Sequence, residues 1–179
     1  MPESWDKSIL FLGGARSGKS RLALEWVEKS GLSPLYLATG VATDSEMEER
    51  IIRHQRERSP EWKVEEVPSG LGKVLEKDWS EWGIVLDCVT FLVNNVFWEE
   101  KDAERAYERL CRELSGILEK RKREHFLLLL VSNEVGMGVV PEYPAGREFR
   151  DLQGRVNQWI AHQVDEAYLV VAGIPWQLK

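Results

Sequence analysis

The sequence predicts an α/β fold: a mostly parallel sheet with helices on both faces. Three observations carry it. Short apolar runs of strand length alternate along the chain with longer runs of helical period. The first strand-like run passes through a glycine-rich turn straight into a helix. No internal repeat or low-complexity linker interrupts the alternation, so all 179 residues read as one domain.

Ile9-Leu10-Phe11-Leu12 is the first buried strand, and Leu22, Ala23, Trp26 and Val27 mark one face of the helix that follows. Gly31 suits that helix's C-cap. Strand two covers 34–39. Thr43, three residues before Glu46, forms a capping box opening a helix to Arg58, and Pro60 closes it. Residues 62–67 are β-prone and read as an outer strand, followed by a modest helix over 69–78. Gly83-Ile84-Val85-Leu86-Asp87 reads as an interior parallel strand, and 90–98 as helix. Ala103, Ala106, Tyr107, Leu110, Leu114, Ile117 and Leu118 fall on one face of a long helix over 102–122. A strand over 126–131, a Gly/Pro-rich loop over 132–146, a helix ending near Val164 and a strand over 167–171 complete the alternation. Residues 176–178 read as a short last strand.

Between the first strand and helix stands Gly13-Gly14-Ala15-Arg16-Ser17-Gly18-Lys19-Ser20, which fits the phosphate-loop pattern G-x-x-x-x-G-K-[ST]. Glycines let successive N–H groups turn inward at phosphate oxygens, and the new helix adds its unpaired N–H groups. Lys19 reaches the β- and γ-phosphates; the Ser20 hydroxyl takes a Mg²⁺ position. The strand-loop-helix context selects a P-loop nucleoside-triphosphate site over an idle glycine turn. Ligands in such sheets sit beyond the carboxyl ends of the strands, which selects the loops after Leu12, Thr39, Asp87 and Val131.

Asp87, a carboxylate closing an apolar strand, suits the Mg²⁺ partner of Ser20; the alternative is a strand-end acid facing solvent. His54 shares a helical face with Met47, Arg50, Ile51 and Arg58. Flanking arginines favour its neutral, nucleophilic form, although a helical histidine is more often a plain surface residue. His125 and His162 have no evident partner. Arg147, Arg150 and Arg155 either clamp phosphates or pair with acids on a solvated helix face, and composition does not separate the two. The net charge of −6 disfavours nucleic acid as a partner. Cys88 and Cys111 lack metal-like spacing and read as reduced thiols. No membrane span or signal-peptide pattern is present, which points to the cytoplasm.

Taken together the residues resemble the bifunctional cobinamide kinase / cobinamide-phosphate guanylyltransferase family of cobalamin biosynthesis. The phosphate loop carries part of the likeness, as does Tyr36-Leu37-Ala38-Thr39 followed by Asp44, Glu46-Met47, Arg50-Ile51, His54, Arg58 and Trp62. The most specific part is Asn133-Glu134-Val135-Gly136-Met137-Gly138-Val139-Val140-Pro141 with Phe149-Arg150-Asp151, Gly154-Arg155 and Val156-Asn157-Gln158. The likeness runs nearly the whole chain. It implies a RecA-like domain assembled as a homotrimer, with active sites near subunit boundaries. It also implies phosphorylation of adenosylcobinamide by ATP or GTP, then transfer of GMP from GTP to adenosylcobinamide phosphate through a histidine. That histidine matches His54. The implied nucleotide contacts are Gly13, Gly14, Ala15, Arg16, Ser17, Gly18, Lys19, Ser20, Ala38, Thr39, Gly40, His54, Gln55, Arg56, Glu57, Glu66 and Asp87. Of these, Glu66 offers a carboxylate to guanine, though spacing alone equally gives an exposed strand acid. Asp87 stands where some members carry Glu, Gly40 where some carry a small hydroxyl residue, and Arg53 where some carry a second histidine. Two rivals are a monofunctional P-loop kinase of another small alcohol and a RecA-type regulatory nucleotide-binding module.

Overall fold

A computed structural model describes residues 5–41 and 58–179. The expected helix over 43–58, and with it His54, Gln55, Arg56 and Glu57, lies outside the described residues, except for Arg58.

Among the described residues seven strands form one sheet: β1 (Ser8–Gly13), β2 (Ser33–Ala38), β3 (Lys63–Glu66), β4 (Trp82–Asp87), β5 (Leu127–Asn133), β6 (Glu166–Val171) and β7 (Ile174–Gln177). Their order is β3-β2-β4-β5-β1-β6-β7, parallel except for β7, which pairs antiparallel with β6. The four described α-helices are α1 (Lys19–Ser30), α2 (Val89–Glu100), α3 (Ala103–Glu124) and α4 (Pro144–Gln163). None is long and apolar enough to cross a membrane.

The central strands are apolar on both sides because both sides are covered. Leu128 and Leu130 of β5 join the core under α2, α3 and α4. Leu127, Leu129 and Val131 point the other way, into a smaller core with Ala23, Leu24 and Val27 of α1. That alternation has a consequence at the sheet's carboxyl end. The neighbours β1 and β5 send their helices to opposite faces, so the chain diverges above Gly13 and Asn133, which pair in register. A crevice opens where such connections part.

Gly31 caps α1 in the left-handed conformation at φ 72°, as expected. Asp102 caps α3 by accepting from the Arg105 N–H at 2.8 Å. The outer strand expected over 62–67 is β3, at the sheet's edge. The helix expected over 69–78 is instead a 3₁₀ helix, Leu71–Glu76. One of its carbonyls is taken by a side chain: the Trp79 indole N–H donates to the Val74 carbonyl at 2.5 Å. Its first N–H groups are held from α3, with Glu113 accepting from Gly70 and Leu71 at 2.9 and 3.1 Å. The last strand begins at Ile174, two residues before the expected 176–178, because Ala172 and Gly173, both at positive φ, turn the chain back on β6.

Candidate active site

The phosphate loop is built on backbone that glycine permits. A Cβ on Gly13 would stand 2.4 Å from the Val170 carbonyl oxygen, closer than any real contact. Gly18 is left-handed at φ 97°, and a Cβ there would meet the Gly173 Cα at 3.1 Å. The turn between β6 and β7 is thus pressed against the loop, and the Gly173 N–H donates to the Ser17 carbonyl at 2.8 Å. From the other side the Glu134 N–H donates to the Gly13 carbonyl at 3.0 Å. Arg16 also has positive φ, at 56°. Gly18 offers no side chain to cap α1, and no acid occupies its first turn. The N–H groups and positive dipole end there remain available to an anion.

Lys19 is buried, 6% exposed, with its ammonium folded back on the loop. It donates to the Gly14 carbonyl at 2.7 Å and the Ser17 hydroxyl at 3.3 Å. Burial lowers its pKa; the field of Asp87 opposes that shift. An ammonium so placed gains by meeting phosphate. Asp87 ends β4, and its Oδ2 is buried with no hydrogen-bond partner among the described residues. An orphaned carboxylate oxygen beside a phosphate loop fits a divalent cation that takes its other ligands from Ser20, phosphate and water. No cluster of three or more His, Cys, Asp or Glu among the described residues competes for a metal.

The loop, Asp87 and Asn133 line one cleft of about 890 Å³. Residues 15–20 and Asp87 are the predicted members found there; Glu28, Cys88, Phe91, Asn133 and Gly173 are members that sequence reasoning did not list. Asn133 fell in the loop selected after Val131, but β5 runs on to include it, and nothing in the pattern showed that this strand abuts β1. Ala38 and Glu66 pair in register at the ends of β2 and β3, on the same edge of the sheet. Glu66 is exposed. Thr39 is fully buried, and its hydroxyl clamps the peptide after Asp87, accepting from the Cys88 N–H at 2.8 Å and donating to the Cys88 carbonyl at 2.7 Å. Gly40 faces the Phe91 ring. Burial pushes the Cys88 thiol up to about 12, so it stays protonated.

The arginine question resolves toward internal pairing. Arg155 grips Glu104 of α3 at 2.8 and 2.9 Å and lies 4.0 Å from the Tyr107 ring centre. Arg147 donates to the Pro141 and Glu142 carbonyls, tying the loop after β5 to α4. Arg150 pairs with Asp151 at 3.6 Å. His125 meets Asp6 at 2.6 Å, at the opposite end of the sheet from the loop. Arg58, at the close of the segment bearing His54, stacks 3.8 Å from the centre of Tyr36.

Fold and cleft together define an α/β protein of P-loop-like fold. Solved structures agree on the fold: the flagellar accessory protein FlaH from Methanocaldococcus jannaschii superposes with a TM-score of 0.52 at 15% identity, over 97% of this chain and 78% of that one. A protein from Pyrococcus horikoshii OT3 gives a TM-score of 0.60 at 10% identity, over 97% and 86%. The model of the family cobinamide kinase / cobinamide phosphate guanyltransferase matches residues 9–178. The bifunctional adenosylcobalamin biosynthesis protein CobU of Escherichia coli (strain K12) is 37% identical, over 96% of this chain and 99% of that protein. CobU of Salmonella typhimurium is 39% identical over the same shares. The bifunctional adenosylcobalamin biosynthesis protein CobP of Pseudomonas aeruginosa is 38% identical over 95% and 96%. The chain belongs to the cobinamide kinase / cobinamide phosphate guanyltransferase family of enzymes.

Proposed function

We propose that this chain, as a single catalytic domain over residues 1–179, phosphorylates adenosylcobinamide with ATP or GTP. It then transfers GMP from GTP to the resulting phosphate, giving adenosylcobinamide-GDP and pyrophosphate. The observation that supports this best is the pairing of a buried Lys19 with an orphaned Asp87 oxygen at the mouth of the phosphate loop, in a chain of this family. Lys19 and the N–H groups opening α1 hold the polyphosphate. Ser20 and Asp87 would hold Mg²⁺, which offsets charge on the leaving oxygens. The Ala38, Thr39 and Gly40 backbone and the segment His54, Gln55, Arg56 and Glu57 complete the nucleotide contacts, with Glu66 accepting from guanine.

In the guanylyl step a nitrogen of neutral His54 attacks the α-phosphorus. The bond to the bridging oxygen breaks, pyrophosphate departs, and GMP is held through a P–N bond. A phosphate oxygen of the corrinoid then attacks the same phosphorus and the P–N bond breaks. Two easier displacements replace one hard one. The kinase step presents the γ-phosphorus instead, so nucleotide, substrate or the His54 segment moves between steps. A homotrimer in the cytoplasm is the assembly this reading carries with it.

Incubation with α-labelled GTP tests the reading. The wild-type chain acquires acid-labile label; His54→Ala loses label and GMP transfer but keeps kinase turnover. Equal loss of both activities in a folded variant defeats the covalent role. An unlabelled wild type with intact kinase activity returns the chain to a monofunctional kinase.

A further inference from the structure

Beneath the carboxyl end of β5 lies a small polar network in an apolar core. Ser132, Gln153 and Asn157 are each 5% exposed or less. The Ser132 hydroxyl donates to Asn157 Oδ1 at 2.6 Å. Gln153 Nε2 donates to that same oxygen at 2.9 Å and to the Ser132 hydroxyl at 3.1 Å. Asn157 turns its amide nitrogen to the main chain: Nδ2 donates to the Asn133 carbonyl at 3.1 Å. The arrangement is costly, since Gln153 Oε1 is buried without a partner among the described residues.

What the network secures is the backbone of Asn133. Strand β4 ends opposite Val131, so the Asn133 N–H has no strand partner on that side. The Thr90 hydroxyl, in the first turn of α2, accepts from it at 2.9 Å. Asn157 holds the carbonyl, and the next residue's N–H is tied to Gly13 of the phosphate loop. Two helices and the loop therefore fix the two peptides that flank the Asn133 Cα. The side-chain direction follows from strand alternation. Leu130 and Ser132 face α4; Val131 faces α1, and so does Asn133, into the cleft shared with residues 15–20.

The geometry points to Asn133 as a further contact to the γ-phosphate, with its amide donating there, and to Asn157 as its positioning residue. This rests on the nucleotide-binding reading above, but not on either transfer reaction. A neutral amide suits the place: it donates without adding charge beside Lys19, and it distinguishes a triphosphate from a diphosphate.

Calorimetric titration of the full chain in Mg²⁺ buffer, with the α,β-imido analogues of GDP and GTP, which resist attack at the α-phosphorus, tests this. The wild type binds the triphosphate analogue more tightly. Asn133→Ala, which leaves the buried network untouched, cuts that preference about tenfold. Asn157→Leu does the same, as does Asn157→Asp, which keeps both bonds to Oδ1 but faces the Asn133 carbonyl with an acceptor. The double variant Asn133→Ala/Asn157→Leu loses no more than either single change, because both act through one contact. An unchanged preference in folded variants, or losses that add, overturns the inference. So does a wild type that binds both nucleotides equally, a result that leaves the family's chemistry standing. A wild type that discriminates but transfers neither group overturns the proposed function and leaves this inference intact.

Discussion

The two ends of the sheet treat polar residues in opposite ways. At the amino end, charges find one another. Lys7 meets Glu166 at 2.8 Å, and Asp165 accepts from the Ser8 N–H and hydroxyl at 2.7 and 2.8 Å. Arg121, itself buried, reaches Asp6 at 3.0 Å and Asp165 at 3.4 Å, and His125 closes on Asp6. At the carboxyl end, Lys19 hydrogen-bonds only its own loop among the described residues, and the Asp87 Oδ2 has no hydrogen-bond partner there. Among the described residues one rim leaves only the Arg121 Nε unmatched, in a guanidinium whose charge is met by two carboxylates, whereas the other leaves a buried ammonium with no ion pair and a bare carboxylate oxygen. Burial of a charge by itself does not distinguish a site from a staple; whether an opposite charge is bonded to it does.

The sharpest way to break that contrast is Lys19→Ala. Group transfer falls by about 10²–10³-fold or more, as expected for removing a preorganised charge at the reacting phosphates. The melting temperature stays level or rises, since a desolvated ammonium has been removed; a large drop would place Lys19 among the staples. Next comes Arg121→Met, expected to cost about 1–3 kcal/mol in denaturant unfolding by stranding two carboxylates. Nucleotide affinity is unchanged, and a change would show that the two rims communicate.

The smallest effect is in acid. Burial pushes the Asp165 pKa up, but the bonds from Ser8 and the charge of Arg121 outweigh that and hold it below the usual carboxylate value. The unfolded chain then binds the proton more readily than the folded one. The contribution is complete above about pH 4, the unfolded carboxylate value, and fades as pH falls through the folded one. Asp165→Asn flattens that slope, and urea midpoints measured from pH 5 downward report it.

Much of this was readable from residue order. Apolar runs located the strands because a sheet covered on both faces demands them, and 13–20 announced a cradle because few other loops need that glycine spacing. Asp87 stood out as a carboxylate ending such a run. The roles of Arg147 and Arg155 were not readable, since pairing with Glu104 or with the carbonyls of Pro141 and Glu142 depends on which elements pack together. The 3₁₀ helix was missed for a similar reason: Trp79 competes for the Val74 carbonyl only after the chain folds back. Asn133 lay in the loop selected after Val131, but its place beside Gly13 was not readable, because strand adjacency sets it.

The contact of Gly173 with Ser17 and Gly18 joins segments some 155 residues apart. A ribosome makes the loop early and its buttress late. During synthesis, then, the nascent chain carries a cradle without its supporting wall until the β6–β7 hairpin docks.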